Sequence, residues 1–124
     1  MVDFILTEEQ KRLRELAREF AQKEIAPVAA ELDREQKFSQ EIVVKYHEIG
    51  LLHNSVPEEY GGGGLSSLDG CIIAEELAAV CGGVASYLGA NILGLTPFLI
   101  AGSPELKKEL LTKHCAGPNL AAFC

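Results

Sequence analysis

Apolar residues recur at helical spacing through the first third of the chain: Leu13, Leu16, Phe20, Ile25, Val28 and Leu32. This period places them on a shared face and predicts an amphipathic helix. Thr7 and Gln10 have the spacing of a capping box at its start. Pro27 lacks a backbone N–H, so the helix is expected to kink or restart there. The polar segment 31–37 is predicted to be the exit from the helix.

Two further helices follow, with a long loop between them. Ser39 is the predicted N-cap of a helix that stops at Gly50. The apolar positions of its buried face are Ile42, Val43, Tyr46 and Ile49. Residues 51–66 contain Pro57 and four consecutive glycines, a composition that favours a loop. The next helix is predicted over about 68–80.

The segment from Leu77 to Pro104 contains no charged residue and is long enough to span a bilayer. Its many glycines, its proline and its lack of close Lys or Arg anchors favour a core helix buried on every side instead. We therefore expect no membrane span. A buried helix is predicted over about 84–93, followed by a bend around Gly94. A short helix is then predicted to run through Pro97 to Ala101.

The last helix is marked by Ser103 as N-cap and Pro104 at the first helical position, and it is expected to end by Gly117. Residues 120–124 have the pattern of a β-strand that begins without a partner strand. The fold is therefore predicted to be all-α, an up-and-down orthogonal bundle of about five to six helices over residues 1–117. Residues 118–124 are predicted to be the truncated start of a β-domain.

The composition is that of one globular domain, with 124 residues of which 48% are hydrophobic and 23% charged. A net charge of −7 argues against a nucleic-acid surface, which needs clustered Lys and Arg. Residues 1–10 lack the features of a signal or transit peptide. The four cysteines show neither CxxC pairs nor zinc-ligand spacing. They are expected to be reduced thiols, as in a cytosol-like compartment.

The residues reveal little chemistry. No nucleophile motif is present, and His47, His53 and His114 are isolated in sequence and interpreted as helix-surface or loop histidines. Glu75 and Glu76 point about 100° apart on a helix, so they cannot share one substrate atom. One is expected to be solvated and the other to cap or form an ion pair. The glycine run lacks the Lys-Ser/Thr of a phosphate loop. No catalytic residue and no metal site are therefore predicted.

Several short motifs follow one another along the whole chain. In order they are TEEQ at 7–10, FA at 20–21, EIAPVA at 24–29, EIGL at 48–51, VPEEYGG at 56–62, AEELA at 74–78, LG at 93–94, Pro97, AG at 101–102 and KK at 107–108. Each motif alone is weakly specific, but the ordered set is specific. The chain in this respect resembles the amino-terminal helical domain of acyl-CoA dehydrogenases.

In that family a helical amino-terminal domain packs with a middle β-domain and a carboxy-terminal helical domain around FAD and the acyl thioester. The resemblance implies that residues 118–124 begin the missing β-domain, and that Phe123 and Cys124 align with the opening of its flavin-binding strand. The catalytic base, a Glu of the carboxy-terminal domain, is missing too. The parent is expected to perform α,β-dehydrogenation of an acyl-CoA, to pass electrons to an electron-transfer flavoprotein and to form a homo-oligomer. This chain alone is expected to be inactive and flavin-free.

The resemblance also places the uncharged helix along the end of the acyl pocket. Ala85, Gly89 and Leu93 are spaced i, i+4, i+8 and are predicted to share the pocket-lining face. Small side chains at the first two positions would leave volume for a longer or bulkier acyl group. Close helix packing favours the same small residues, and both interpretations stay open.

Other functions also stay open. Acyl-CoA oxidases and related flavin monooxygenases share this helical domain, and nothing before the flavin segment separates them sharply. A non-enzymatic helical interaction module is a further alternative. The location is expected to be the bacterial cytoplasm, or the mitochondrial matrix for a processed eukaryotic chain. Apolar faces around residues 84–101, left without the absent domains, are expected to be exposed and to cause self-association.

Overall fold

The computed structural model describes residues 5–124, and its regular structure is helical throughout that range. The α-helices are α1 (Glu8–Phe20), α2 (Ala26–Glu35), α3 (Gln40–Glu48), α4 (Ser67–Ala78), α5 (Gly82–Ala101) and α6 (Pro104–Cys115). The predicted all-α bundle of five to six helices is confirmed. The first four residues of the predicted domain 1–117 lie outside the described part of the chain.

The first helical run begins at the predicted capping box and is interrupted just before Pro27. Thr7 Oγ1 accepts a hydrogen bond from the backbone N–H of Gln10 at 3.1 Å, and the Gln10 side chain accepts one from Thr7. A π-helical turn, Ala21–Ile25, separates α1 from α2. The ring of a proline crowds the carbonyl four residues earlier, and the wider turn relieves this clash. The predicted restart is confirmed.

The prediction that residues 31–37 leave the helix is wrong for most of this segment. Helix α2 continues to Glu35 and ends where Gln36 adopts a left-handed conformation with φ of 51°. Polar residues on the solvent side keep their helical hydrogen bonds, while Leu32 packs against the core. Polarity alone therefore does not end this helix.

Helix α3 has the predicted ends. Ser39 Oγ accepts from the backbone N–H of Ile42 at 3.3 Å, and Gly50 follows the helix with φ of +77°. Residues with a Cβ rarely adopt that backbone conformation, which is why a glycine follows the end of helix α3. Three of the four predicted core positions of this helix are buried: Ile42, Val43 and Tyr46.

Helix α4 lies within two residues of its predicted limits and packs against α1 and α5. It begins with a capping box between Ser66 and Asp69. Glu76 forms an ion pair with Arg18 at 2.8 Å, whereas Glu75 is exposed. The prediction of one paired and one solvated glutamate is confirmed.

The segment 51–66 is irregular, as predicted, apart from a short 3-10 turn, and much of it is buried. Its buried apolar side chains are Leu51, Leu52 and Val56. The glycine run passes back over the first part of the loop, where Gly63 N–H donates to the His53 carbonyl at 3.0 Å. A Cβ at Gly62 would lie 2.1 Å from the Val56 carbonyl oxygen. The glycines therefore allow a close approach between two stretches of backbone.

Within residues 5–124, two hydrophobic clusters form the core. The larger one joins α1, the π-helical turn, α3, α4 and α5, and its fully buried side chains include Ile25, Val43, Ile73 and Val84. The smaller one joins the loop after α3 to α5 and α6, and it consists of Val56, Leu95, Leu111 and Cys115 with their partly buried neighbours. Helix α5 contributes to both clusters and links them.

Helix α5 is continuous over twenty residues, with Pro97 inside it. The predicted bend around Gly94 and the separate helix from Pro97 to Ala101 are therefore wrong. The proline removes one main-chain hydrogen bond, and the bonds on either side of it hold the helix together. The Thr96 hydroxyl also donates to the Ile92 carbonyl at 2.7 Å in this turn.

Burial of α5 is confined to one side. Leu93 is 63% exposed and Ile100 is 78% exposed, so the prediction of a helix buried on every side is wrong. The expected exposure of apolar side chains along residues 84–101 is confirmed. Among residues 5–124, α5 is the one helix long and apolar enough to cross a bilayer, a test that a core helix of a globular protein also passes. The absence of a membrane span stays a prediction.

Helix α6 has the predicted start and end. Ser103 Oγ accepts from the backbone N–H of Leu106 at 3.2 Å, and the helix stops at Cys115. Residues 118–124 have no regular structure, so the predicted strand is not formed. The described chain has no strand with which this segment could pair. Its assignment to a β-domain stays a prediction.

Candidate functional site

An apolar groove of about 490 Å³ lies between α4, α5 and the loop that follows α3. Its volume falls in the range of small-molecule sites, roughly 300–1,000 Å³. The apolar side chains that line it include Ile73 and Leu77 of α4, Leu52 of the loop, and Leu88, Ile92 and Leu99 of α5. This composition suits an uncharged hydrocarbon chain.

Helical spacing explains how the sequence forms the groove. Ala85, Leu88, Gly89 and Ile92 lie at i, i+3, i+4 and i+7, so they project from one side of α5. Small residues line the groove on both helices, Gly70 and Ala74 on α4 and Ala85 and Gly89 on α5, and their short side chains leave space in it. A Cβ added at Gly89 would meet nothing within 4 Å. The groove is therefore open where this glycine lies.

The structure brings two of the three predicted pocket residues together. Ala85 and Gly89 both line the groove, whereas Leu93 is not among its lining residues. Eight residues turn a helix through about 80° beyond two full turns, which rotates Leu93 away from the face of Ala85. The pocket-lining role of these residues stays a prediction, and the groove supports it for the first two alone.

Several polar groups of the groove are hydrogen-bonded within the protein. The Ser55 hydroxyl donates to Asn54 Oδ1 at 2.6 Å. Burial raises the pKa of Tyr46, and the hydrogen bond to Asn54 acts in the opposite direction. No Asp or Glu lines the groove formed by residues 5–124. The groove thus offers an apolar chain a binding surface, but it has no carboxylate that could remove a proton.

Phe123 and Cys124, the predicted flavin contacts, lie at the end of the chain beyond the groove. Both are exposed, Phe123 by 74%. The described residues leave both side chains uncovered, so they do not enclose a flavin. These two residues would form at most one edge of an FAD site. Their cofactor role stays a prediction.

Three histidines lie together between the loop, α3 and α6, although His114 is distant in sequence from the other two. The His53 ring centroid lies 5.5 Å from that of His47 and 5.0 Å from that of His114. His53 lies in the loop after α3, in agreement with its interpretation as a loop histidine, and its side chain is buried. Within residues 5–124, no group of three or more His, Cys, Asp or Glu side chains could hold a metal ion.

Asn91 of α5 lies at the centre of this region and is 1% exposed. Its Nδ2 lies 3.0 Å from the Leu52 carbonyl oxygen and 3.2 Å from His53 Nδ1. Its Oδ1 lies 2.8 Å from the Ala121 nitrogen and 3.1 Å from His114 Nε2. We call these hydrogen-bonded residues the Asn91 network. Its partners lie 23 to 39 positions away in sequence, so no local pattern predicted it.

Burial sets the protonation of the histidines in this network. Desolvation lowers the pKa of His53 below its ordinary 6.5, and the nearby His114 and His47 lower it further. The hydrogen bond with the Gly117 carbonyl acts in the opposite direction. Desolvation also lowers the pKa of His114. Both rings are therefore favoured in the neutral form at pH 7.

The comparisons with known proteins agree on one family. The profile described as "Acyl-CoA dehydrogenase, N-terminal domain" matches residues 7–118. The "Probable acyl-CoA dehydrogenase YngJ" of Bacillus subtilis (strain 168) is 37% identical over 123 residues, which are 98% of this chain and 32% of that protein. The chain thus spans about a third of the length of this curated relative.

Two solved structures are similar over nearly all of the chain. One is a chain of "Electron transferring flavoprotein of Acidaminococcus fermentans: Towards a mechanism of flavin-based electron bifurcation". It has a TM-score of 0.88 and 35% identity over 96% of this chain and 32% of that one. The other is an "Acyl-CoA Dehydrogenase complexed with FAD from Bacillus anthracis", with a TM-score of 0.86 and 31% identity over 98% of this chain and 21% of that one.

Proposed function

Because the chain belongs to the acyl-CoA dehydrogenase family, as an amino-terminal domain, we propose that it supplies one wall of the acyl pocket of an FAD-dependent acyl-CoA dehydrogenase. The observation that carries this proposal is the groove between α4 and α5. Its apolar lining and the open space at Gly89 suit the hydrocarbon part of a thioester substrate. The CoA portion would find its contacts in the other domains.

The groove would act on the acyl chain by the hydrophobic effect. Each methylene removed from water stabilises the bound chain by about 0.8 kcal/mol. Ala85 and Gly89 project little volume into the groove, so they leave space for the distal methylenes. Leu88, Ile92 and Leu99 would cover those methylenes and exclude water. This division of roles fits a longer or bulkier acyl group.

The reaction of the intact protein would be the α,β-dehydrogenation of an acyl-CoA. FAD would accept the hydride, and a Glu outside these residues would take the α-proton. The 124-residue chain would bind the acyl chain and exclude water from it. An electron-transfer flavoprotein is the proposed electron acceptor, and the assembly is proposed to be a homo-oligomer. The proposed location is the bacterial cytoplasm, or the mitochondrial matrix for a eukaryotic source.

Substitution of Gly89 in the full-length gene product tests the pocket role. Gly89→Leu fills the open part of the groove, so kcat/KM for a long acyl-CoA should fall about tenfold relative to butyryl-CoA, as expected for the loss of roughly two buried methylenes. Gly82→Leu is the matched control, because Gly82 is at the start of α5, outside the groove, and also has nothing within 4 Å. Equal loss for long and short substrates would contradict the proposal.

One measurement distinguishes the proposed dehydrogenase from an oxidase of the same fold, and a second tests where the FAD contacts lie. The full-length protein should reduce an artificial electron acceptor with acyl-CoA under anaerobic conditions, and oxygen should be a poor substitute. Rapid turnover with oxygen would instead identify an oxidase. The 124-residue chain, mixed with FAD and desalted, should lose its yellow colour. Stoichiometric retention of flavin would contradict the assignment of most FAD contacts to other domains.

A further inference from the structure

We infer that Asn91 is a positioning residue that fixes the path of residues 119–122 across α5, and that it does so while the His53 ring is neutral. The inference goes beyond the acyl groove, which lies on another side of α5. It rests on the proposed function in one respect, the role of Phe123 and Cys124 at the end of this segment.

The backbone groups around Asn91 determine the orientation of its amide. Nδ2 faces the Leu52 carbonyl, and Oδ1 faces the N–H of Ala121. The reverse orientation would place two acceptors together at Leu52 and two donors together at Ala121. The amide therefore donates through Nδ2 and accepts through Oδ1. All four of its hydrogen-bonding positions are occupied.

This orientation in turn determines the tautomer of His53. Because Asn91 Nδ2–H points at His53 Nδ1, that ring nitrogen must accept. The proton then resides on Nε2, which lies 3.1 Å from the Gly117 carbonyl oxygen and donates to it. A second proton, on Nδ1, would bring two donors together in a buried site and break the bond to Asn91.

Residues 119–122 also pass very close to α5. A Cβ at Gly94 would lie 2.7 Å from the Cβ of Ala121 and 2.8 Å from the backbone nitrogen of Ala122. Gly94 and Asn91 are three residues apart and share one side of the helix. Leu120 packs against the larger hydrophobic cluster and Ala121 against the smaller one. One small residue and one amide on α5 thus hold the segment at this crossing.

Burial, His47 and His114 favour the neutral form of His53, and the hydrogen bond to the Gly117 carbonyl acts in the opposite direction. The titratable groups that act on it are His47 of α3 and His114 of α6, and a positive charge on either would oppose protonation of His53. Helix α5 presents the uncharged Asn91, and the segment after α6 presents the Gly117 carbonyl. Acidification should therefore loosen residues 119–122 before it unfolds the helices.

Under the proposed function, this crossing determines where Phe123 and Cys124 leave the helical domain. Both side chains are exposed two to three residues beyond the bond from Ala121 to Asn91. A chain fixed at residue 121 has few accessible directions for residue 123. Asn91 would therefore act on the flavin edge through the main chain, without touching the cofactor.

Amide hydrogen exchange of the 124-residue chain, followed by NMR, tests this inference. At pH 7 the Ala121 N–H should be protected, and the His53 ring should show the Nε2–H tautomer by nitrogen shifts. Gly94→Ala should lower the protection factor of Ala121 at least about tenfold, the equivalent of one lost hydrogen bond. Gly82→Ala is the matched control, since a Cβ there meets nothing within 4 Å. Asn91→Ala should have the same effect as Gly94→Ala, because it removes the Oδ1 that accepts from the Ala121 N–H.

The pH profile separates a positioning role from a merely structural one. Between pH 7 and pH 5, the protection factor of Ala121 should fall in parallel with protonation of His53, while amides in the middle of α4 keep theirs. Unprotected Ala121 at pH 7 in a folded chain would overturn the inference, as would the Nδ1–H tautomer. Unchanged protection of Ala121 after His53 is protonated would also overturn it. These results leave the pocket proposal untouched, because none of them involves the groove.

Discussion

Helix α5 presents two different surfaces to the rest of the molecule, and they place opposite demands on its sequence. On one side, Ala85 and Gly89 border an open groove, and their side chains need only be small and apolar. On the other, Asn91 and Gly94 meet a neighbouring segment at hydrogen-bonding distance or closer. The groove surface is defined by residue size. The surface of the Asn91 network is defined by residue identity, so it should tolerate far less substitution.

Asn91→Ala is the strongest way to test this contrast. The variant leaves the Leu52 carbonyl and the Ala121 N–H without their partner and removes the groups that face His53 and His114. Each unsatisfied buried group costs about 1–3 kcal/mol, so the free energy of unfolding should fall by about 3–5 kcal/mol. Urea denaturation followed by circular dichroism would measure the loss.

The control for that variant lies on the same helix. The Ser86 hydroxyl donates to the Gly82 carbonyl at 2.7 Å and is exposed, so water can replace it. Ser86→Ala should change the free energy of unfolding by less than about 0.5 kcal/mol. If Asn91→Ala and Ser86→Ala cost the same, the Asn91 network contributes no special stability, and the contrast between the two surfaces fails.

Acidification should weaken the network and spare the groove. The folded-state pKa of His53 is lowered from 6.5, chiefly by burial, so the unfolded chain takes up a proton at a higher pH than the folded chain does. The stabilisation is therefore complete above about pH 6.5 and is lost as the pH falls below that value. The effect should be smaller than that of Asn91→Ala, because one hydrogen bond is broken instead of four.

Unfolding free energies at pH 7.5, 6.5 and 5.5 would measure this effect in the wild type and in His53→Gln. The variant should show a shallower loss between the two lower values. Part of the slope should remain, because burial also lowers the pKa of His114. Parallel profiles for the two proteins would show that His53 does not contribute, and the neutral ring would lose its role in the network.

The contrast between the two surfaces of α5 also separates the features that the sequence predicted from those that it did not. The ends of α1, α3 and α6 follow from local signals at Thr7, Ser39 and Ser103, since a cap bonds a residue three positions away. Asn91 and its histidines carry no such signal. Their bonds exist once the loop, α6 and the last segment have packed against α5, so no local spacing encodes them.

The errors along α5 have a similar origin. Gly94 and Pro97 have low intrinsic helix propensity, and for that reason they predicted a bend. The bend does not form. Gly94 is present because Ala121 passes over it, a contact 27 positions away. Of the three predicted pocket residues, Leu93 was placed by a spacing rule that drifts over eight residues. Local preference thus fails where long-range packing decides which residue a position needs.

Alanine substitutions at two glycines compare the two surfaces directly. Gly89→Ala adds a methyl group to open space, so it should raise the free energy of unfolding by about 0.5–1 kcal/mol through helix propensity. Gly94→Ala has the same intrinsic gain, but its methyl group must displace Ala121, so its net effect should be unfavourable. Thermal unfolding of both variants would measure the two changes in the free energy of unfolding. Stabilisation by Gly94→Ala equal to that by Gly89→Ala would mean that the crossing segment is held too weakly to resist a methyl group.

The smallest effect on folding is expected at the exposed end of α5, where the consequence concerns association. Ile100 is 78% exposed and should contribute to self-association of the chain. Ile100→Lys should change the free energy of unfolding by less than about 0.5 kcal/mol. It should also shift the sedimentation velocity profile of the chain toward that of a monomer. Leu68→Lys, at the exposed start of α4, is the control and should leave association nearly unchanged. If the wild type is monomeric at high concentration, or if both variants dissociate it alike, the apolar end of α5 is not the contact surface. The apolar side chain of Ile100 would then be explained by its place in the lining of the groove.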